Sequence, residues 1–462
     1  MKRILVVIVV AASIYGALAL NSPDAPVGPD FTGPVERESA ASATASVWYC
    51  TWAASGALRD STAMIAANTP VTASLTLPQQ IVGEDPDTDQ VILSSPGAVA
   101  VDVGEIVRRG DTPMFVEFDG GPAAVAVVVE SDSLLTGDGC LSRIPKVWEL
   151  PGGSTRQGRT TTIRLFNPFP EMAKVTVSGS SESGETGLVD LQSIDIPGRT
   201  WQDVDLNGLI PLLNDLSFTV TTSEGNVVPS LVVAGSTDEA SWPGEAPSTY
   251  WEFPVATSSA DFAPSLMLSN NGTNPANATI DVYTADGATA DARQVVVDPS
   301  IPKRIDLSDL ADGAMGVRVR ADAPVSAVVL AEESPEAIVA TGETDTGSSE
   351  TPGDRIAGTV GASTPASTWL LPGLQAVAGA DSTVWLLNTG TDAATVVLQP
   401  LGSGSLPTNK QLVPPGTLLG VPLGYDAAVG GYFVESTAPI SVAWSAEEEK
   451  GIMFVSGTLV DG

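Results

Sequence analysis

Histidine is absent from all 462 residues, and only two cysteines occur, Cys50 and Cys140. The first absence removes Ser-His-Asp and Cys-His catalysis and every imidazole metal ligand. The second removes four-thiolate zinc and iron–sulfur sites within one chain. Basic residues are scarce as well, 21 against 55 acidic, for a net charge of −34. A polyanion of this size repels nucleic acid and anionic lipid surfaces, so no nucleic-acid partner is expected. Aromatic residues make up only 5% of the chain. Gly-x-Ser-x-Gly, Walker and dinucleotide-binding patterns are all missing. Ser300 and Lys303 match Ser-x-x-Lys, but the companion Ser-Asp-Asn and Lys-Thr-Gly motifs of penicillin-recognising enzymes are not there. No cofactor is implied.

What is present is apolar material in short pieces. Hydrophobic residues amount to 43%, mostly Ala and Val, with 45 Gly and 35 Pro. That mixture supports folding and suits many short strands joined by turns. The length exceeds what one core organises and implies several domains.

The first twenty residues stand apart. Lys2 and Arg3 precede an uncharged run from Ile4 to Leu20. As a helix it would reach roughly 25 Å, near the hydrocarbon thickness of about 30 Å. It reads either as a membrane anchor or as a signal segment, with Ala17 and Ala19 as the small residues of a cleavage site. Either way the basic end stays inside and the remainder is expected outside the cytoplasmic membrane, or secreted after cleavage. Residues 21–45, with Pro23, Pro26, Pro29 and Pro34, read as an extended tether.

Beyond the tether the chain repeats itself. Trp48, Trp148, Trp251 and Trp369 each open a block, and an Asn follows 20, 19, 19 and 19 residues later: Asn68, Asn167, Asn270 and Asn388. Each Asn ends a strand-like run, and an alternating run follows it: Ala73–Leu77, Ala173–Val177, Ala278–Val282 and Ala394–Leu398. A Pro turn comes next, at Pro96, Pro197, Pro299 or Pro415, and later an apolar strand such as Ala124–Val129 closes the block. Four copies in register point to duplication.

The expected fold is therefore all-β, with four tandem β-sandwich-like repeats of about a hundred residues behind the N-terminal segment. A closed, pseudo-symmetric, propeller-like arrangement is the alternative. The repeats are placed at 46–145, 146–247, 248–342 and 368–462, with 343–367 as a flexible linker.

Cys50 and Cys140 bracket the first repeat, and outside the cytoplasm such a pair is expected to form a disulfide. The four repeated Trp are read as packing residues and the four Asn as turn residues, able to adopt positive φ and bond their own backbone. Glu84, Asp85, Asp87 and Asp89 form an acidic loop that lacks the Gly and distal Glu of an EF-hand. Arg109-Gly110-Asp111 is read as an ordinary turn.

The N-terminal anchor, the acidic Ala/Val/Thr-rich body, the element Trp48-Tyr49-Cys50 and the two-Cys first repeat resemble the DUF5719 family of exported actinobacterial proteins. Thr51 stands where the family motif carries Pro. The resemblance implies an envelope location and no known activity. The resulting expectation is a non-catalytic cell-envelope protein whose β modules serve as a surface scaffold or bind an envelope protein or glycan. A wall-polysaccharide-binding or assembly factor, with exposed Trp lining a groove, is the alternative. A carboxylate-dependent glycoside-acting enzyme is the third reading.

Overall fold

The computed structural model of the chain describes residues 43–53, 59–107, 110, 112–235, 238–257, 259, 261–333, 355–373, 379–402, 406–423 and 429–460. The expected anchor at 1–20, nearly all of the tether, residues Arg109 and Asp111, and most of the expected linker lie outside the described residues. Among the described residues no helix is long and apolar enough to cross a membrane.

Strands dominate, as alternation and turn spacing require. The first module holds β1 (Val47–Ala53), β2 (Asp60–Ala67), β3 (Val71–Leu77), β4 (Asp87–Leu93), β5 (Gly97–Asp102), β6 (Thr112–Gly120), β7 (Ala123–Glu130) and β8 (Leu135–Gly139). The second holds β9 (Val147–Gly153), β10 (Thr160–Asn167), β11 (Ala173–Ser181), β12 (Gly184–Thr186), β13 (Ile194–Ile196), β14 (Thr200–Asp205), β15 (Leu216–Glu224), β16 (Val228–Ala234) and β17 (Glu239–Pro243). The third holds β18 (Ser248–Thr257), β19 (Phe262–Ser269), β20 (Ala276–Thr284), β21 (Gly287–Val297), β22 (Lys303–Asp306), the long β23 (Met315–Glu333) and β24 (Ile356–Val360). The fourth holds β25 (Ala366–Pro372), β26 (Asp381–Asn388), β27 (Ala394–Gly402), β28 (Asn409–Val413), β29 (Thr417–Pro422), the long β30 (Val429–Glu448), β31 (Gly451–Ser456) and β32 (Thr458–Leu459).

Strand pairing follows one plan in all four. In the first module β1-β6-β3-β4 form one sheet and β5-β2-β7-β8 the other. The second repeats this as β9-β15-β11-β12 and β14-β10-β16-β17. In the third and fourth modules the long strands β23 and β30 serve both sheets: β18 and β20 pair with β23 in one, β19 and β24 in the other, and β25, β27, β26 and β31 pair with β30 likewise. Each module is thus a two-sheet sandwich rather than the single-sheet blade of a propeller.

The two sheets differ in how they are buried, and this sets the arrangement of the modules. β3 alternates buried and half-buried positions along its length, so one of its faces meets a core. β7 is buried at every position but the last. Ile65, Val127 and Val129 face their own core beside Trp48 and Leu75. The alternate residues Met64, Ala126 and Val128 pack with Trp369 and Leu371 of the fourth module. Runs buried on both faces lose their polar alternation, as in parallel sheets flanked by helices.

The same contact recurs around the molecule. β1 packs on β10 and β16, β9 on β19 and β23, β18 on β26 and β30, and β25 on β2 and β7. The last strands of the four inner sheets also meet in turn, β8 with β17, β17 with β24, β24 with β31, and β31 with β8. The modules therefore close into a ring, and the open tandem chain gives way to the alternative of closure, built from sandwiches. The driving force is the second apolar face of each inner sheet, where each fully buried Val, Leu or Met contributes about 1.5–3 kcal/mol.

Two expected boundaries move. β24 lies within residues 343–367, so the part of that segment from 356 to 360 is a buried strand paired with β23 and not a linker. Gly358 in it carries no side chain, and a Cβ there would lie 2.3 Å from the Trp242 ring. Ala43, at the end of the expected tether, already belongs to the fold: its N–H donates to Leu459 O at 2.6 Å and its carbonyl accepts from Ala123 N at 2.9 Å.

Candidate functional site

The residues singled out by the repeat are placed as follows. Cys50 and Cys140 form a disulfide, with Cα atoms 4.5 Å apart, joining β1 to the segment just after β8. All nine Trp are buried; Trp48, Trp148, Trp251 and Trp369 are at most 1% exposed. Trp251 donates to Val325 O at 2.9 Å and Trp369 to Ala366 O at 3.2 Å. No Trp is available to stack on a sugar from solvent, which is the feature a Trp-lined polysaccharide groove needs.

Asn167, Asn270 and Asn388 are buried and bonded alike. Each Oδ1 accepts the N–H two residues on, at 3.0, 2.9 and 3.0 Å. Each Nδ2 donates to the carbonyl four residues on and to the end of a strand across the turn, Ile196, Val297 or Val413. None adopts positive φ; among the described residues the left-handed non-glycine residues are Arg199, Leu212, Asp291 and Ser300. The side chain supplies the turn's hydrogen bonds, so the backbone needs no strained conformation. Asn68 is half-buried, and its Oδ1 has no partner.

The residue after each repeated Trp points the other way, as alternation in a strand dictates. It meets the Asn turn of the next module or that module's core. Tyr49 lies 6.0 Å from the Phe169 ring, and Leu370 is buried in the core of the first module. The other two are buried glutamates. Glu149 accepts from Asn271 Nδ2 and, at 3.3 Å, from Thr219 Oγ1. Burial pushes its pKa up to about 8 against the lowering effect of those two donors. Glu252 accepts from Thr389 Oγ1 at 2.5 Å and from Ser441 and Tyr250. Beside it Asp281 is held below the usual carboxylate range: burial opposes the shift, but hydrogen bonds from Arg320, the Asp291 N–H and Arg318 outweigh it.

A small central cavity of about 60 Å³ lies where the four modules converge, lined by Asp138, Glu245, Val360 and Phe454 among others. Asp138 accepts from Ser241 Oγ at 3.0 Å, across the boundary between the first and second modules. Burial raises both Asp138 and Glu245 to about 8. The cavity has room for a few water molecules. Elsewhere, Asp87, Asp89, Asp102 and Glu105 line an open groove on the first module. Among the described residues no group of three or more His, Cys, Asp or Glu is arranged to hold a metal ion.

Sequence reasoning missed these junction carboxylates. The signal was there: Glu149 and Glu252 each follow a repeated Trp and precede an apolar residue, Leu150 or Phe253, inside a strand.

No curated protein matches the chain. Among solved structures, Thermotoga maritima 1070 is 15% identical over 25% of this chain and 95% of its own, with a TM-score of 0.20. The Anabaena sensory rhodopsin transducer is 20% identical over 21% and 99%, at 0.16. The major pilin from Streptococcus pyogenes is 10% identical over 87% and 99%, at 0.15. Scores this low establish no shared fold or role. The profile of a family of unknown function, DUF5719, matches residues 123–334 and again 240–451, the second stretch beginning about one module later. Together the two matches span most of the chain, which therefore belongs to the DUF5719 family.

Proposed function

We propose that the chain is a non-catalytic scaffold and interaction module of the cell envelope, held at the outer face of the cytoplasmic membrane by its N-terminal segment or secreted after cleavage. The observation that carries this reading is the use of every inner sheet on both faces. Four modules locked in that way make one body, and what remains for partners is the outer sheets, their edge strands and the turns. Such edges and loops suit contact with an envelope protein or glycan. The central cavity has room for a few waters, whereas a glycosidase pair must admit a sugar between its carboxyls. The buried Trp favour the scaffold over a Trp-lined polysaccharide groove.

The test is fractionation of cells producing the full-length tagged chain, combined with external protease and in-cell crosslinking. The scaffold reading expects the tag in the envelope or medium, digestion of the ectodomain from outside, and one reproducible crosslinked envelope component. Recovery in the cytosol, protected from protease, would overturn it.

A further inference from the structure

The second module departs from the repeat at one place. Its fourth strand is split into β12 and β13, with a 3-10 turn at Val189–Leu191 between them. Under that excursion lies a pocket of about 350 Å³, bounded on its other side by Asn271 and Ser300 from the turns of the third module. This is within the range of small-ligand sites, about 300–1,000 Å³.

Strand register explains why the pocket exists here. Across the outer sheet of the first module, Tyr49, Phe115 and Thr76 lie side by side. The matching row is Glu252, Arg318 and Asp281 in the third module and Leu370, Phe433 and Gln399 in the fourth. In the second it is Glu149, Thr219 and Ser178. Where the others carry Phe or Arg, this module carries Thr219, and the space is left open. Ser180 pairs with Ser217 in the next row, so four hydroxyls share one face.

The wall is hydroxyl-rich, and Glu185 at the rim is its one charged side chain. No Lys or Arg lines it, which disfavours anions. Glu149 is sealed beneath, 1% exposed and already bonded by Thr219 and Asn271. Ser300 Oγ donates to Glu185 Oε1 at 3.3 Å across the rim. Leu188 and Val189 give one apolar wall. Ser217 is 2% exposed, and its hydroxyl, like that of Thr186, is buried with no hydrogen-bond partner. Orphaned buried hydroxyls call for a ligand or water, since leaving them unpaired costs about 1–3 kcal/mol each.

We propose that the pocket between the second and third modules binds a neutral, polyhydroxylated ligand, a single sugar ring or cyclic polyol, with its hydroxyls on Ser178, Ser217, Thr219 and Asn271 and its C–H face on Leu188. This deepens the interaction reading and rests on it only in giving the site a binding role. Saturation-transfer NMR on the purified full-length chain tests it, with glucose, arabinose and myo-inositol as neutral probes, and glucosamine and glucuronate as charged ones. At least one neutral probe should bind with a Kd of about 1 mM. Binding should weaken at least about tenfold in Thr219→Phe, which installs the side chain found at the matching places in modules one and four. Gly187→Phe, at a rim position where an added Cβ meets nothing within 4 Å, should do the same. Unchanged emission of the buried Trp checks that the variants fold. No transfer to any neutral probe at about 50 mM, transfer untouched by both variants, or preference for a charged probe would overturn the proposal. Envelope fractionation is independent of these outcomes, so the two readings fail separately.

Discussion

A buried polar side chain stabilises a fold only when its hydrogen-bonding capacity is met, and Asn167, Asn270 and Asn388 each meet theirs with three bonds. Asn270 serves Gly272 N, Asn274 O and Val297 O. Asn270→Ala leaves those backbone groups without partners, and a loss of about 2–4 kcal/mol is expected from urea unfolding. Asn68→Ala should cost less, because its Oδ1 is already unpartnered. The junction carboxyls act in the opposite sense. Glu149 has its pKa raised to about 8 by burial, so between the ordinary value of 4.5 and 8 the folded chain holds a proton that the unfolded chain releases. Stability from this group is complete below about 4.5 and declines as pH rises to about 8. Asp138 and Glu245 add to the same trend. The chain should therefore melt at a lower temperature at pH 8.5 than at pH 5. Glu149→Gln should match the wild type near pH 4 and exceed it by at least about 1 kcal/mol at pH 8.5, read as denaturation midpoints. A difference that does not grow with pH would contradict this assignment.

At the scale of the element, the strands were legible and their second faces were not. β3, β11 and β27 alternate in sequence as they alternate in burial. β7 reads Ala-Ala-Val-Ala-Val-Val-Val, and continuous runs of this kind signal a strand covered on both sides. The last strand of the third module was harder to see. β24 has only five residues and sits in a stretch rich in Gly, Ser and Thr, which composition assigns to a linker. Its role is steric: Gly358 lets the backbone lie against Trp242. Gly358→Ala should therefore destabilise the junction by about 1–3 kcal/mol, seen as a lower melting temperature with altered Trp fluorescence. Unaltered melting would mean that β24 is not held there.

At the scale of the whole molecule, the question is what joins the fourth module to the first. Leu370 sits in the first module's core, Lys450 pairs with Glu130 at 3.2 Å, and Ala43 bonds to Leu459. This half-buried, partly solvated ion pair contributes little beside the apolar contact. Leu370→Asp would bury an unpaired carboxylate at that contact. The ring should open while the modules stay folded: small-angle scattering should show a larger radius of gyration with the far-ultraviolet circular dichroism unchanged. An unchanged radius would show that closure does not depend on this side chain.

The sequence alone determined that the chain is built of strands and that the build recurs four times, because alternation, turn residues and spacing act over a few residues at a time. Tertiary structure alone decided that the modules close on one another, that Glu149 and Glu252 are buried, and that Thr219 leaves a pocket its counterparts fill. Those outcomes depend on which residue lies beside which across strands and modules, a relation set by register and packing rather than by order along the chain.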